Sequence, residues 1–171
     1  MPVRKIMTFP AEILRKPAAN VSKISARQRE LLADMTDTLY KDEHTVGVAA
    51  QQVNLDERLV VIDARDKHGL LKLINPEIIS REGRSIEEEG CLSLPGITVK
   101  VPRAEKVTVK AKNERGEEIT LEADGFLARV LQHEIDHLNG RMIVDYLSPA
   151  AKFLARLKYL ISRCFKKKQQ G

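Results

Sequence analysis

The clearest helical period runs over residues 25–42. Leu31, Leu32, Met35 and Leu39 recur three and four positions apart and make one apolar stripe. Ser25 followed three residues later by Gln28 is a capping box that sets the start. Residues 45–52 are small and poorly periodic and read as a loop or an extended stretch. The unbroken apolar run Leu59–Asp63 predicts a buried strand. A second strand at 71–74 is expected to stop at Asn75-Pro76, because proline has no N–H for a sheet ladder. Between Glu82 and Pro102 short strands are interrupted by Gly83, Gly90, Pro95, Gly96 and Pro102. Lys106–Lys112 alternates, with Val107, Val109 and Ala111 on one face, and 119–122 returns from a turn at 113–116. Asp124 is placed to cap a helix over 125–139 that Gly140 ends. Ser148-Pro149 opens a last helix, whose Phe153, Leu154, Leu157, Leu160, Ile161, Cys164 and Phe165 fall on one stripe. That stripe must dock on the body, on a second copy or on a surface. Strands clustered between helical ends, without βαβ alternation, predict an α+β fold. Antiparallel or mixed sheets would pack around the helix 125–139, with the C-terminal helix added.

Composition changes this picture little, and charge placement changes it more. The 171 residues fit one domain, read as a catalytic body over 1–147 with a helix and tail over 148–171. No apolar run approaches a membrane span, and the first residues lack the apolar core of a signal peptide. Two cysteines are too few for a disulfide framework, so a reducing cytoplasm is the expected compartment. The net charge is +5, yet seven Lys and Arg and no Asp or Glu lie from Lys152 onward. A basic tail on a nearly neutral body fits either an acidic partner or a solvated helix face.

The strongest chemical signal is Gln132-His133-Glu134-Ile135-Asp136-His137. It places H-E-x-x-H on a helix whose Phe126, Leu127, Val130, Leu131, Ile135 and Leu138 should anchor it in the core. Four residues is close to one turn, so His133 and His137 share a face and can bind one metal. Glu134 is within reach of water at that metal, as a general base requires. Chance would produce this pattern in about one chain of this length in two hundred. A third ligand is needed, but no further His follows and the last acid is Asp145. The upstream candidate is Cys91, in Glu89-Gly90-Cys91-Leu92-Ser93, although a lone cysteine is as readily a small buried apolar side chain.

Three segments in order decide between these readings. Gly47-Val48-Ala49-Ala50-Gln51-Gln52, Glu89 to Ser93 and Gln132 to His137 together resemble the peptide deformylases. Phe9-Pro10, Leu14-Arg15 and Val101-Pro102-Arg103 are similar to that family too, so the likeness covers about residues 5–150. The resemblance implies hydrolysis of the N-formyl group from the initiator methionine of nascent chains. It implies one divalent metal on Cys91, His133 and His137, with ferrous iron physiological and zinc, nickel or cobalt as substitutes. Glu134 would handle the water's proton, and the Gln52 side chain and Leu92 backbone N–H would receive the oxyanion. The peptide would pair with Val46, Gly47 and Gly90, and Phe126, Arg129 and Val130 would line the methionine pocket. Arg129 is expected on the pocket rim with its head in water. Glu89 and Asp136 could orient a ligand or pair with Arg103.

The chain also departs from the family. Thr45 stands where Gly is usual, which predicts backbone strain if that position has φ > 0. Glu87 stands where an apolar residue often nears the pocket, and Gly96-Ile97-Thr98 lacks a common Arg. A different metallopeptidase is the first competing reading, and Cys91 in its motif argues against it. A ribosome or nucleic-acid binder without activity is the second, argued from the tail. DNA is not an expected partner; the ribosome is, through the basic C-terminal helix. Three Tyr, four Phe and no Trp leave little for base stacking.

Overall fold

Helix α1 (Ala26–Tyr40) begins where the capping box places it. The Ser25 N–H and Oγ both donate to Gln28 Oε1, at 3.1 and 2.7 Å. In this computed structural model, which describes residues 3–168 and side chains through residue 161, seven strands follow. They are β1 (Gly47–Ala49), β2 (Leu59–Asp63), β3 (Leu70–Glu82), β4 (Ser85–Gly90), β5 (Thr98–Arg103), β6 (Lys106–Lys112) and β7 (Glu118–Asp124). A five-stranded sheet has the order β1-β2-β3-β6-β7, and β4-β5 form a separate ribbon. Every pairing between them is antiparallel.

Strand β2 shows how the layers assemble. Its side chains alternate, so Leu59 and Val61 pack with Leu32, Met35 and Leu39 of α1. Val60 and Ile62 face the other way, into a cluster with Leu127, Leu131, Ile135 and Leu138. The last four belong to helix α2 (Gly125–Leu138), so the sheet lies between α1 and α2. Burying apolar side chains on both faces explains the continuous apolar run in β2.

Strand β3 does not stop at Asn75-Pro76; it continues to Glu82. Its register shifts between Ile74 and Glu77, and Asn75 takes φ 52°. The proline therefore sits in a bulge, where no ladder donor is required. Beyond it, β3 pairs with β6.

Asp124 occupies the cap position of α2 without a side-chain capping bond; the Gly125 N–H donates instead to the Glu105 carbonyl at 3.0 Å. The helix ends in a Schellman turn, with Gly140 N–H to His137 O and Arg141 N–H to Asp136 O, both 2.9 Å. Gly140 is required twice, because its φ is 71° and a Cβ would lie 2.6 Å from the Arg15 carbonyl oxygen.

Helix α3 (Pro149–Lys168) meets the body along a narrow line. Tyr159 is 2% exposed among Leu14, Leu94, Val101 and Ile143, with its ring edge-on to Phe9 at 5.8 Å. Ala155, one turn earlier, also packs there. Of the predicted stripe, Phe153, Leu154, Leu157, Leu160 and Ile161 are exposed, so this described part of it does not dock on the body. Tyr159 and Ala155 set the helix's rotation and turn that stripe outward. The side chains of Cys164, Phe165 and the lysines at 166–168 lie outside the described residues.

Candidate active site

A cavity of about 430 Å³ opens between β1 and β4, with α2 behind it. Val46 and Gly47 form one wall, and Glu89, Gly90, Cys91 and Leu92 the other. Phe126, Arg129, Val130, His133 and Glu134 line it from α2, and Gln52 from the turn after β1. The structure thus brings together eleven of the twelve residues expected to form the site, and His137 adjoins them through Cys91. Phe126 is exposed at the cavity and is not a core anchor of α2.

The H-E-x-x-H spacing acts as the helix period requires. His133 and His137 stand on one face with ring centroids 5.0 Å apart. Their ligand atoms and Cys91 Sγ all lie within 4.8 Å of one another, and Sγ is 3.2 Å from His137 Nε2. Donors around a tetrahedral ion with ordinary Zn–S and Zn–N bonds stand roughly 3.5 Å apart, so one sulfur and two imidazoles fit such an ion. Burial pushes the Cys91 thiol up, but His137 and His133 beside it outweigh that and favour the thiolate. Burial also raises Glu134, and its Oε2 has no hydrogen-bond partner within the protein.

Glu89 is the hub behind these groups. Its Oε2 is 2.9 Å from His133 Nδ1, which leaves the ring's other nitrogen for the side facing Cys91. Arg103 donates Nε to Glu89 Oε1 and Nη2 to Oε2, both at 2.9 Å. Burial alone would push the Glu89 pKa up, yet the bonds from Arg103 and His133 hold it at about 2. Arg103 Nη1 also pairs with Asp136 and with the Tyr146 hydroxyl at 3.0 Å. Tyr146 donates to Asp136 at 2.7 Å; burial and that acceptor raise its pKa to about 12. Glu89 and Asp136 therefore do pair with Arg103, as their positions in the sequence allowed.

Arg129 corrects its expectation. It is 5% exposed, and its head is turned inward rather than into water. Nη1 donates to Glu89 Oε1 at 2.7 Å and to the Val101 carbonyl at 3.0 Å, while Nη2 donates to Ser85 Oγ at 2.7 Å. Glu87 lies 3.5 Å from Nε. Ser85, Glu87 and Glu89 alternate along β4, so one face of that strand satisfies the guanidinium. Thr45 is relaxed too: among the described residues only Asn54, Arg65 and Asn75 have positive φ without being glycine. The Thr45 N–H closes a turn on the Asp42 carbonyl at 3.1 Å.

Two positioning contacts have no counterpart in the sequence reading. Gln51 Nε2 donates to the His137 carbonyl at 2.8 Å and to that of Lys16 at 3.2 Å, joining the end of α2 to the N-terminal segment. The Met7 N–H donates to Gln52 O at 2.7 Å, and the Phe9 N–H to Ser93 O at 2.9 Å. The only signal for Gln51 was its place beside Gln52. Gln52 is itself fixed, since its Oε1 accepts the Ala49 N–H at 2.9 Å and its Nε2 points to Cys91 Sγ at 3.8 Å.

A thiol, two imidazoles and an unpartnered carboxylate converging in a cleft of an α+β fold define a metal-dependent hydrolase. Known proteins narrow the class. Residues 3–153 match the polypeptide deformylase family. A peptide deformylase of Halothermothrix orenii is 50% identical over 145 residues, covering 85% of this chain and 94% of that protein. One from Pseudoalteromonas translucida is 46% identical over 159 residues, covering 92% and 95%. The crystal structure of a peptide deformylase from Legionella pneumophila superposes with TM-score 0.89 at 45% identity, over 99% of this chain and 98% of that one. The enzyme from Ehrlichia chaffeensis in complex with actinonin gives TM-score 0.87 at 33% identity over all of both chains. The chain belongs to the polypeptide deformylase family.

Proposed function

We propose that this cleft hydrolyses the N-formyl group from the initiator methionine of nascent polypeptides and releases formate. The observation that carries the reading is the convergence of Cys91, His133 and His137 beside the unpartnered Glu134 carboxylate. Cys91, His133 and His137 would hold one divalent ion, ferrous iron in the cell, with zinc, nickel or cobalt able to replace it. A thiolate with two imidazoles suits each of these late first-row ions. Such an ion supplies Lewis acidity to the formyl carbonyl and to water.

The chain's own groups do the rest. Glu134 takes the proton of the attacking water at its carboxylate and passes it to the leaving amine. The Gln52 Nε2–H and the Leu92 backbone N–H stabilise the oxyanion that forms at the formyl oxygen. Both donors flank Cys91, in keeping with that role. Glu89, held by Arg103 and Arg129, keeps the His133 ring in one orientation and one tautomer.

The substrate lies as a strand between the edges of β1 and β4, using the main chains of Val46, Gly47 and Gly90. Among the described residues β1 pairs with β2 alone and β4 with β5 alone, which supports this placement. Main-chain pairing gives affinity without reading sequence. Phe126, Val130 and the stem of Arg129 take the methionine side chain. Residues 1–147 are the catalytic body and 148–171 an appended helix and tail. That basic helix is proposed to meet the ribosome, and the cytoplasm is the proposed compartment. Among the described residues no helix is long and apolar enough to cross a membrane.

Formate release from a formyl-Met peptide, with no cleavage of its unformylated form, tests the activity. Glu134→Gln should retain metal while losing activity by roughly 10²- to 10⁴-fold. Activity within tenfold of the unmodified enzyme would reject Glu134 as the base.

A further inference from the structure

The catalytic cavity does not end at the methionine site. Asp42, Thr45 and Leu92 line it and also line a second cavity of about 460 Å³ on their other side. Val3 and Ile6 give this second space an apolar floor, and Arg4, Lys5 and Lys41 surround it with cations. Arg4 is already paired, donating Nε and Nη2 to Asp34 Oδ2 at 3.1 and 2.9 Å. Lys5 and Lys41 are exposed and have no ion pair among the described residues. Among the described residues the one acid in the lining is Asp42, at the junction, where its carboxylate accepts the His44 N–H at 3.0 Å.

We propose that this second cavity is an exit groove for the substrate chain downstream of its methionine, in which Lys5 and Lys41 favour acidic side chains. The proposal rests on the reading of the cleft as a deformylating site. A chain paired between β1 and β4 is extended, at about 3.3 Å per residue, and presents every second side chain to the same side. Passing Thr45 and Leu92, it enters the second cavity from the third residue or later. There the main chain meets an apolar floor, and carboxylates meet two ammonium groups that form no ion pair among the described residues. A lysine at the same place meets like charge.

The test compares three substrates: formyl-Met-Ala, too short to reach the groove, and two formyl-Met hexapeptides with Glu or Lys at positions three to five. At low salt the Glu hexapeptide should show a KM roughly three- to tenfold below that of the Lys hexapeptide, with kcat alike. The difference should fade at high salt. In Lys5→Glu/Lys41→Glu the ratio between hexapeptides should vanish or invert, each value normalised to the dipeptide so that a loss of folded enzyme cancels. Equal KM values in the unmodified enzyme at low salt would overturn the exit groove, as would a preference that survives in the double variant. Failure of the unmodified enzyme to deformylate formyl-Met-Ala would instead overturn the reading beneath it, and the groove with it.

Discussion

Single residues set this site through space as much as through charge. A Cβ on Gly47 would stand 2.5 Å from Glu134 Oε1 and 2.9 Å from Glu134 Cδ. Gly47→Ala should therefore push the carboxylate out of place while leaving Cys91, His133 and His137, the proposed metal ligands, untouched. We expect kcat to fall by roughly 10²-fold at unchanged metal content, as a displacement near 1 Å commonly costs. Steady-state kinetics with metal analysis on the same preparation checks this. His133, Glu134 and His137 were legible because their spacing alone places them: the two histidines share a helix face whatever the rest of the fold does, whereas Cys91, Gln52 and Leu92 were settled only through the family resemblance. Arg129 was not legible. Its partners Ser85 and Glu89 are forty or more positions away, and without them a guanidinium beside an apolar pocket belongs in water. Thr45 misled for a related reason, since a substitution for glycine signals strain only where φ is positive.

Whole elements followed their periodicity, and their junctions did not. The start of α1, the run of β2 and the alternation of β6 lie where the pattern put them, because each reports local burial. The length of β3 was hidden, since its passage through Pro76 depends on which strand lies alongside on each side of the bulge. Asp145 shows a junction with a measurable weight. Its carboxylate pairs with Arg15 and with Lys152 and accepts the Met142 N–H at 2.8 Å, joining the N-terminal segment to α3. Burial raises its pKa, but those three partners outweigh that and hold it below the ordinary 3.8. A carboxyl group depressed on folding adds stability above its unfolded pKa, and that stability is lost as pH falls through the folded value. Asp145→Asn should cost about 1–2 kcal/mol at neutral pH, allowing for partial solvent screening. The cost should stay constant down to about pH 4 and shrink below it. Urea unfolding of both proteins from pH 7 to pH 3 gives the comparison, and a penalty independent of pH throughout would exclude the charge as its source.

For the molecule as a whole, the α+β class could be read from the order of strands and helices. The separation of β4-β5 from the main sheet could not, because pairing between distant strands leaves no local trace. That separation is what opens the cleft. The C-terminal helix poses the remaining question at this scale. Deleting residues 166–171 should leave hydrolysis of short formyl peptides unchanged but weaken sedimentation with ribosomes, with a shallower salt dependence. Unchanged sedimentation and salt slope would leave the lysines as a solvated end. The edges of β1 and β4 beside the cleft, unpaired among the described residues, carry one more consequence. On the proposed placement of the substrate between them, only a chain that is extended and bare on both sides can enter, so a client whose first residues have already joined a helix or sheet would be shut out. Emergence at about 5–20 residues per second then sets a deadline. Deformylation competes with the client's own folding, and proteins whose N-termini are buried early are the ones expected to keep their formyl group.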